Sequence, residues 1–370
     1  MKFISVISLT FSATLAFAEI GLREYTNDFK IGLALNSTFW EGVEGYTEAA
    51  RNIFNMGVAE NGCKLSHIQA EKGVYDFSQC DSHLAKAIEN NMDFRGHCLI
   101  WHNYQPEWFV NLKGDDLRNA IVEHITTVLN HYRGKIDTWD VVNEAVDNDS
   151  TGENGGWEMR KSFLYNEVPD FVDLAFKTAR EVDPNVKLYY NDYNNEGSPE
   201  KMGKSIAVYN FVKDMVERGV PIDGVGIQYH IKTSSYPAYE DVMDFMAKYA
   251  QLGLEVQITE MDVRCDNNTK EEFEKQAELY GVALRACLDS PNCNAFLIWG
   301  LADNLSWKVG SYPDILDDDL KPKHAYYTLL NILKEYNYTQ ELDNGNETDV
   351  DIEVDVGSDV VEIETDSDSE

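Results

Sequence analysis

The chain has 370 residues, 43% hydrophobic and 12% aromatic, enough apolar content for a large buried core. Against 31 basic residues stand 65 acidic ones, and the net charge of −34 repels nucleic acid and anionic membranes. That balance excludes a polyanion binder and suits a soluble protein acting on a neutral partner.

In chain order, the first feature is a leader. Lys2, an apolar run over 3–7 and the small-x-small triplet Ala16-Phe17-Ala18 form an export signal over residues 1–18. The run is too short and too interrupted by Ser and Thr to span a bilayer. Secretion is expected, with the mature chain starting near Glu19. From 19 to 340 no Gly/Ser-rich or Pro-rich linker divides the chain, so one domain is expected there. Short runs rich in Val, Ile, Leu and Tyr predict strands at 31–36, 54–59, 93–100, 136–143, 186–191, 223–230, 254–260 and 294–300. Helical stripes lie between them: Leu117, Ile121, His124, Ile125 and Val128; then Phe171, Leu174, Ala175 and Thr178; then Ile206, Tyr209, Phe211, Val212 and Met215. A last helix is expected from about His324, after Pro322. Residues 341–370 hold 13 acidic residues, no basic ones and no aromatics, and are expected to be a disordered acidic tail.

Eight strand–helix units imply a parallel sheet, and their size fits an α/β fold of the TIM (β/α)8 barrel type. The alternative is an open doubly wound sheet, which commonly carries a Gly-rich turn after its first strand. Here that strand runs into Asn36-Ser37-Thr38-Phe39-Trp40 instead. The six cysteines at 63, 80, 98, 265, 287 and 293 are even in number behind an export signal, so disulfides are allowed. Cys287 and Cys293 are placed to pin a helix-to-strand loop, and Cys63 and Cys80 flank another loop and are a possible pair. Sequons begin at Asn36, Asn148, Asn267, Asn304, Asn337 and Asn346.

A barrel does its chemistry at the C-terminal ends of its strands. The residues there are Glu60-Asn61, Trp101-His102-Asn103, Asn143-Glu144, Asn191-Asp192-Tyr193-Asn194, Gln228-Tyr229-His230, Thr259-Glu260-Met261-Asp262 and Trp299-Gly300. Ordinary turns favour Gly, Asp and Ser. Indoles, imidazoles, carboxamides and glutamates point instead to a sugar site. Glycosidic cleavage needs two carboxyl groups flanking the bond. A lone Glu at a strand end is most often a solvated turn residue; Glu144 and Glu260 across one barrel mouth form a pair. Asp262 shares a strand face with Glu260. It is expected to orient His230, which holds Glu260 ionised as nucleophile. The charge of Glu260 is expected to keep Glu144 protonated as the acid/base. Asn143 suits the 2-hydroxyl of the reacting sugar. Trp101, Trp299 and Trp307 offer flat faces, although most Trp serve core packing, and Tyr193 offers an edge. His97 and His102 lack a third ligand and do not read as a metal pair. No cofactor is expected.

Six stretches resemble glycoside hydrolase family 10, the retaining xylanases. They are Gly96-His97-Cys98-Leu99-Ile100-Trp101-His102, Trp139-Asp140-Val141-Val142-Asn143-Glu144-Ala145, Tyr190-Asn191-Asp192-Tyr193-Asn194, Gly224-Val225-Gly226-Ile227-Gln228-Tyr229-His230, Ile258-Thr259-Glu260-Met261-Asp262, and residues 299–307. They follow the family's order over roughly 30–335. The resemblance implies a secreted endo-1,4-beta-xylanase with Glu144 as acid/base and Glu260 as nucleophile. His97, Trp101, Asn143, Gln228, His230, Trp299 and Trp307 are then implied around the cleaved sugar. Glu60, Asn61 and Lys64 grip the next xylose, and Tyr193 stands on the leaving side. A Cys287–Cys293 disulfide is also implied. The chain departs from the family at Leu65, Tyr104, Tyr229 and Lys308, and Tyr104 and Tyr229 are positioned to narrow the cleft. The expected partner is xylan, bound by a monomer, with no nucleic acid and no membrane. Two rivals remain: a barrel hydrolase of another β-1,4 polymer such as cellulose, and a non-catalytic sugar-binding barrel. Retention at the anomeric carbon implies carboxyl groups about 5–5.5 Å apart.

Overall fold

The computed structural model describes residues 21–36, 40 and 42–343, with side chains as far as residue 340. The expected leader and nearly all of the acidic tail lie outside them. Strands occupy eight positions: β1 (Lys30–Leu35), β2 (Met56–Ala59), β3 in two pieces (Asp93–Arg95 and Ile100–Trp101), β4 (Thr138–Asn143), β5 (Lys187–Asp192), β6 in two pieces (Gly224–Ile227 and His230–Lys232), β7 (Glu255–Arg264) and β8 (Cys293–Ile298). The principal helices between and after them are α1 (Tyr46–Ile53), α2 (Ser78–Glu89), α3 (Gly114–Tyr132), α4 (Phe171–Val182), α5 (Met202–Glu217), α6 (Tyr239–Gln251), α7 (Lys270–Asp289) and α8 (His324–Asp343). The last helix runs three residues past the domain end expected at 340.

All strand pairings in the sheet are parallel. The sheet path starts at the first piece of β3, passes through β2, β1, β8, β7, β6, β5 and β4, and ends at the second piece of β3. Both ends belong to one strand position, so the sheet is a closed barrel and the open doubly wound alternative is excluded. Gly96 makes the seam: its N–H donates to Thr138 O at 2.8 Å, and its carbonyl accepts from Asp140 N at 2.9 Å. A Cβ at Gly96 would lie 2.1 Å from the Trp139 ring, so only glycine lets the two strands meet there.

The helices cover the outside with the stripes read from the sequence. On α3, Leu117, Ile121, His124, Ile125 and Val128 are all buried. On α4, Phe171, Ala175 and Thr178 are buried and Leu174 is half-buried; on α5, Phe211, Val212 and Met215 are buried, with Ile206 and Tyr209 half-buried. The filling of the barrel is mixed. Ala34, Met56, Val58, Ala295, Leu297 and Trp299 form a small apolar cluster. Elsewhere in the lumen Arg95, fully buried, donates from Nε to Gln257 Oε1 at 3.0 Å. That bond links β3 to β7, which are not neighbours in the ring, so it crosses the lumen. Two disulfides form, Cys63–Cys80 and Cys287–Cys293, while Cys98 and Cys265 are buried free thiols.

Candidate active site

The parallel strands present their C-terminal residues at one rim. The backbone turns sharply there: Glu144 and Tyr229 take φ of 60° and 63°, and Tyr104 takes 50°. Non-glycine residues rarely adopt this left-handed conformation, and it concentrates at functional sites.

Glu260, near the middle of β7, is almost fully buried. Its Oε2 lies 3.3 Å from His230 Nε2, and its Oε1 accepts from Asn191 Nδ2 at 2.6 Å. His97 Nδ1 stands 3.9 Å from Oε1. Behind these groups sit two buried carboxylates. Asp262 Oδ2 is 2.7 Å from His230 Nδ1, and Asp140 Oδ2 is 2.8 Å from His97 Nδ1. Asp140 is also held by Arg95 through two bonds of 2.5 and 2.6 Å. Burial opposes the charge on His230, but Asp262 and Glu260 outweigh it and push its pKa up to about 10. Burial likewise opposes ionisation of Glu260. The His230 hydrogen bond and the His97 and His230 charges overcome it and hold Glu260 below its ordinary pKa. Glu260 is therefore a carboxylate.

Glu144 follows the last residue of β4, and its N–H donates to Asn191 O at 2.9 Å. Its Oε1 accepts from Gln228 Nε2 at 3.1 Å and Asn143 Nδ2 at 3.2 Å. Its pKa is raised, first by burial, then by the charge of Asp192, with Glu260 the least of the named contributors. The sequence reading put Glu260 first. Asp192, fully buried on the neighbouring strand, ranks above Glu260 among the charges that raise it. Asp192 pairs with Lys204 Nζ at 3.2 Å. The two glutamates are joined by carboxamides: Asn143 Oδ1 accepts from Asn191 Nδ2 at 2.9 Å and from Gln228 Nε2 at 3.1 Å. A Cβ on Gly226 would meet Asn191 Oδ1 at 2.1 Å, so glycine makes room for the central amide.

The other expected residues surround this pair. Lys64 Nζ donates to Asn61 Oδ1 at 3.0 Å and lies 4.8 Å from the centre of the Trp101 ring. Glu60 Oε2 accepts from Asn36 Nδ2 at 2.8 Å. That amide belongs to a sequon, and a glycan on Asn36 would leave it a single N–H to donate. Trp299 packs edge-on against His97 at 5.2 Å. Trp307 is 47% exposed and donates from Nε1 to Asp262 Oδ2 at 2.9 Å. Tyr193 accepts from Arg160 at 3.1 Å, and Lys204 lies 4.8 Å from its ring centre.

Tyr229 departs from expectation: it is 1% exposed, so it packs inward and does not narrow the cleft. Tyr104 does stand out, 72% exposed. His102 is pushed down to about 4 by burial and by the Arg160 and Lys204 charges. Among the described residues, no group of three or more His, Cys, Asp or Glu is arranged to hold a metal. Sequence reading missed Arg95, Asp140, Asn191, Asp192, Arg160 and Lys204 as members of the site. Asn191 and Asp192 stood visibly at a strand end. Lys204 gave no signal, because a buried cation inside a helix looks like any surface lysine.

A sequence profile described as Glycosyl hydrolase family 10 matches residues 22–332. Endo-1,4-beta-xylanase B of Neocallimastix patriciarum is 51% identical over 337 residues, covering 90% of this chain; the chain spans only 38% of that relative's length. Endo-1,4-beta-xylanase B of Thermotoga neapolitana is 36% identical, covering 82% of this chain and 88% of its own. The crystal structure of native xylanase 10B from Thermotoga maritima superposes with a TM-score of 0.80 at 35% identity, covering 86% of this chain and 100% of its own. Xylanase 10B from Thermotoga petrophila RKU-1, in complex with xylobiose, gives a TM-score of 0.79 at 35% identity, covering 86% and 98%.

Proposed function

Because the chain belongs to glycosyl hydrolase family 10, we propose that it is an endo-acting retaining hydrolase that cuts internal β-1,4-xylosidic bonds of xylan. The observation that carries this reading is the opposed shift of two carboxyl groups linked through Asn143 and Asn191, Glu260 held below its ordinary pKa and Glu144 raised above it. Glu260 attacks the anomeric carbon while Glu144 protonates the leaving oxygen. The resulting ester is released by a water from which Glu144, now ionised, takes a proton. Ester formation removes the charge of Glu260 and so relieves part of the pressure on Glu144, the part due to burial and Asp192 remaining. His230 and Asp262 keep the nucleophile charged, and Asn143 suits the 2-hydroxyl of the reacting sugar.

Around this centre, His97, Gln228, Trp299 and Trp307 line the reacting ring, with Trp101 beside them. Glu60, Asn61 and Lys64 grip the next xylose, and Tyr193 meets the leaving side. A wall of Glu60, Lys64 and Trp307 would exclude the C6 hydroxymethyl that glucose carries and xylose lacks, favouring xylan over cellulose. Two disulfides suit the oxidising exterior that an export leader over 1–18 would reach.

Reducing-sugar release from xylan and from carboxymethyl cellulose tests this, beside a Glu260→Ala control. Activity on xylan, lower by more than about 1,000-fold in the control, is expected. Equal activity on both polymers would overturn the substrate, and an inverted first product would overturn the retaining mechanism.

A further inference from the structure

Resting on the xylan reading, we propose that Tyr104 is a specificity-determining residue whose ring receives one more sugar of the chain, beyond Trp101 and Lys64. Tyr104 lies on the loop after β3. Its ring centre is 5.5 Å from that of Trp101, with the planes 42° apart. Trp101 in turn carries Lys64 on its ring, and Lys64 bonds Asn61. A continuous path of side chains therefore leads outward from the sugar-gripping cluster to Tyr104.

An exposed aromatic by itself is ordinary. Tyr104 is distinguished by how it is held. Its φ of 50° is one a bulky side chain rarely adopts. The loop's own amides fix it there. Asn103 Oδ1 accepts the Tyr104 N–H at 3.0 Å. Gln105 Nε2 donates to Trp101 O at 2.9 Å and to Asn103 O at 3.2 Å. A ring 72% exposed gains little from burial, so this costly backbone is not repaid by packing. It presents the ring to whatever enters the cleft.

The surface fits a neutral pyranose. Sugar C–H groups stack on aromatic faces, and the phenol hydroxyl both donates and accepts. Successive sugars of a β-1,4 chain are turned relative to each other, and the tilt between Trp101 and Tyr104 offers two differently oriented faces. The resembled family commonly has Gln at this position. Here Gln105, one place on, is used to brace the loop, and an aromatic ring takes the exposed place.

The test compares wild type, Tyr104→Phe and Tyr104→Ala on xylo-oligosaccharides from xylobiose to xylohexaose, with a thermal melt of each to check folding. Tyr104→Ala is expected to raise KM about 3- to 10-fold on the longest substrates. It should leave kcat, and the kinetics of the shortest substrate cleaved, unchanged. Tyr104→Phe should keep most of the wild-type affinity. A loss equal across all lengths, or no change with xylohexaose in an active enzyme, would overturn the role of Tyr104 alone. A wild type inactive on every oligosaccharide would overturn the xylan reading and this inference with it.

Discussion

Two residues behind the carboxyl pair set its pH range. In the proposed mechanism activity needs Glu260 ionised, so it should be lost as pH falls through the depressed pKa of Glu260. Asp262→Asn removes the main charge that keeps His230 cationic, and His230 in turn holds Glu260 down. The acid limb of kcat/KM should therefore move to higher pH. The same mechanism needs Glu144 protonated, so activity should also be lost as pH rises through its elevated pKa. Asp192→Asn keeps the shape but removes a charge that raises Glu144, so the alkaline limb should move to lower pH. Measuring kcat/KM against pH for both variants separates the two limbs; a limb that stays in place contradicts the assignment for that residue.

Strands and their connections hold the pair in register. Gly226→Ala on β6 would push Asn191 away from Glu260, and a displacement near 1 Å costs about 100-fold in catalysis. A loss of that size in kcat is the expected result, together with a lower melting temperature, since the added methyl overpacks fully buried Asn191 and Thr259. The two disulfides act on connections of different length, with sequence separations of 17 and 6. Restricting the unfolded chain should make Cys63–Cys80 worth about 3 kcal/mol and Cys287–Cys293 about 2 kcal/mol. Denaturant unfolding of the two double Cys→Ala variants checks that order.

Across the whole molecule, buried ionisable groups couple the fold to pH. His124 is packed neutral under α3, and burial pushes its pKa down to about 3. The stability it contributes is present above its unfolded pKa of 6.5 and is lost as pH falls toward 3. Asp314 acts in the opposite sense, since burial raises its pKa. Comparing wild type with His124→Asn isolates the histidine. The variant should melt lower at pH 7, and the gap should narrow at pH 4.5. His230 behaves in reverse: its contribution is present below 6.5 and fades as pH rises through about 10.

The sequence by itself determined the barrel and most of its rim. Apolar periodicity is a local signal, and all eight strands form within a few residues of where that periodicity put them. Indoles, imidazoles and glutamates at strand ends are equally visible, so the two glutamates, His230 and Asp262 could be named in advance. Seam and electrostatics were decided only by the tertiary structure. Arg95 reaches Gln257 from 162 residues away, and Asp192 outranks Glu260 in raising Glu144. Those effects depend on distance through a buried interior, which sequence spacing does not encode. The inward turn of Tyr229 against the outward stance of Tyr104 has the same origin. Both tyrosines take a left-handed backbone, and only the surrounding packing decides which ring is buried and which is exposed.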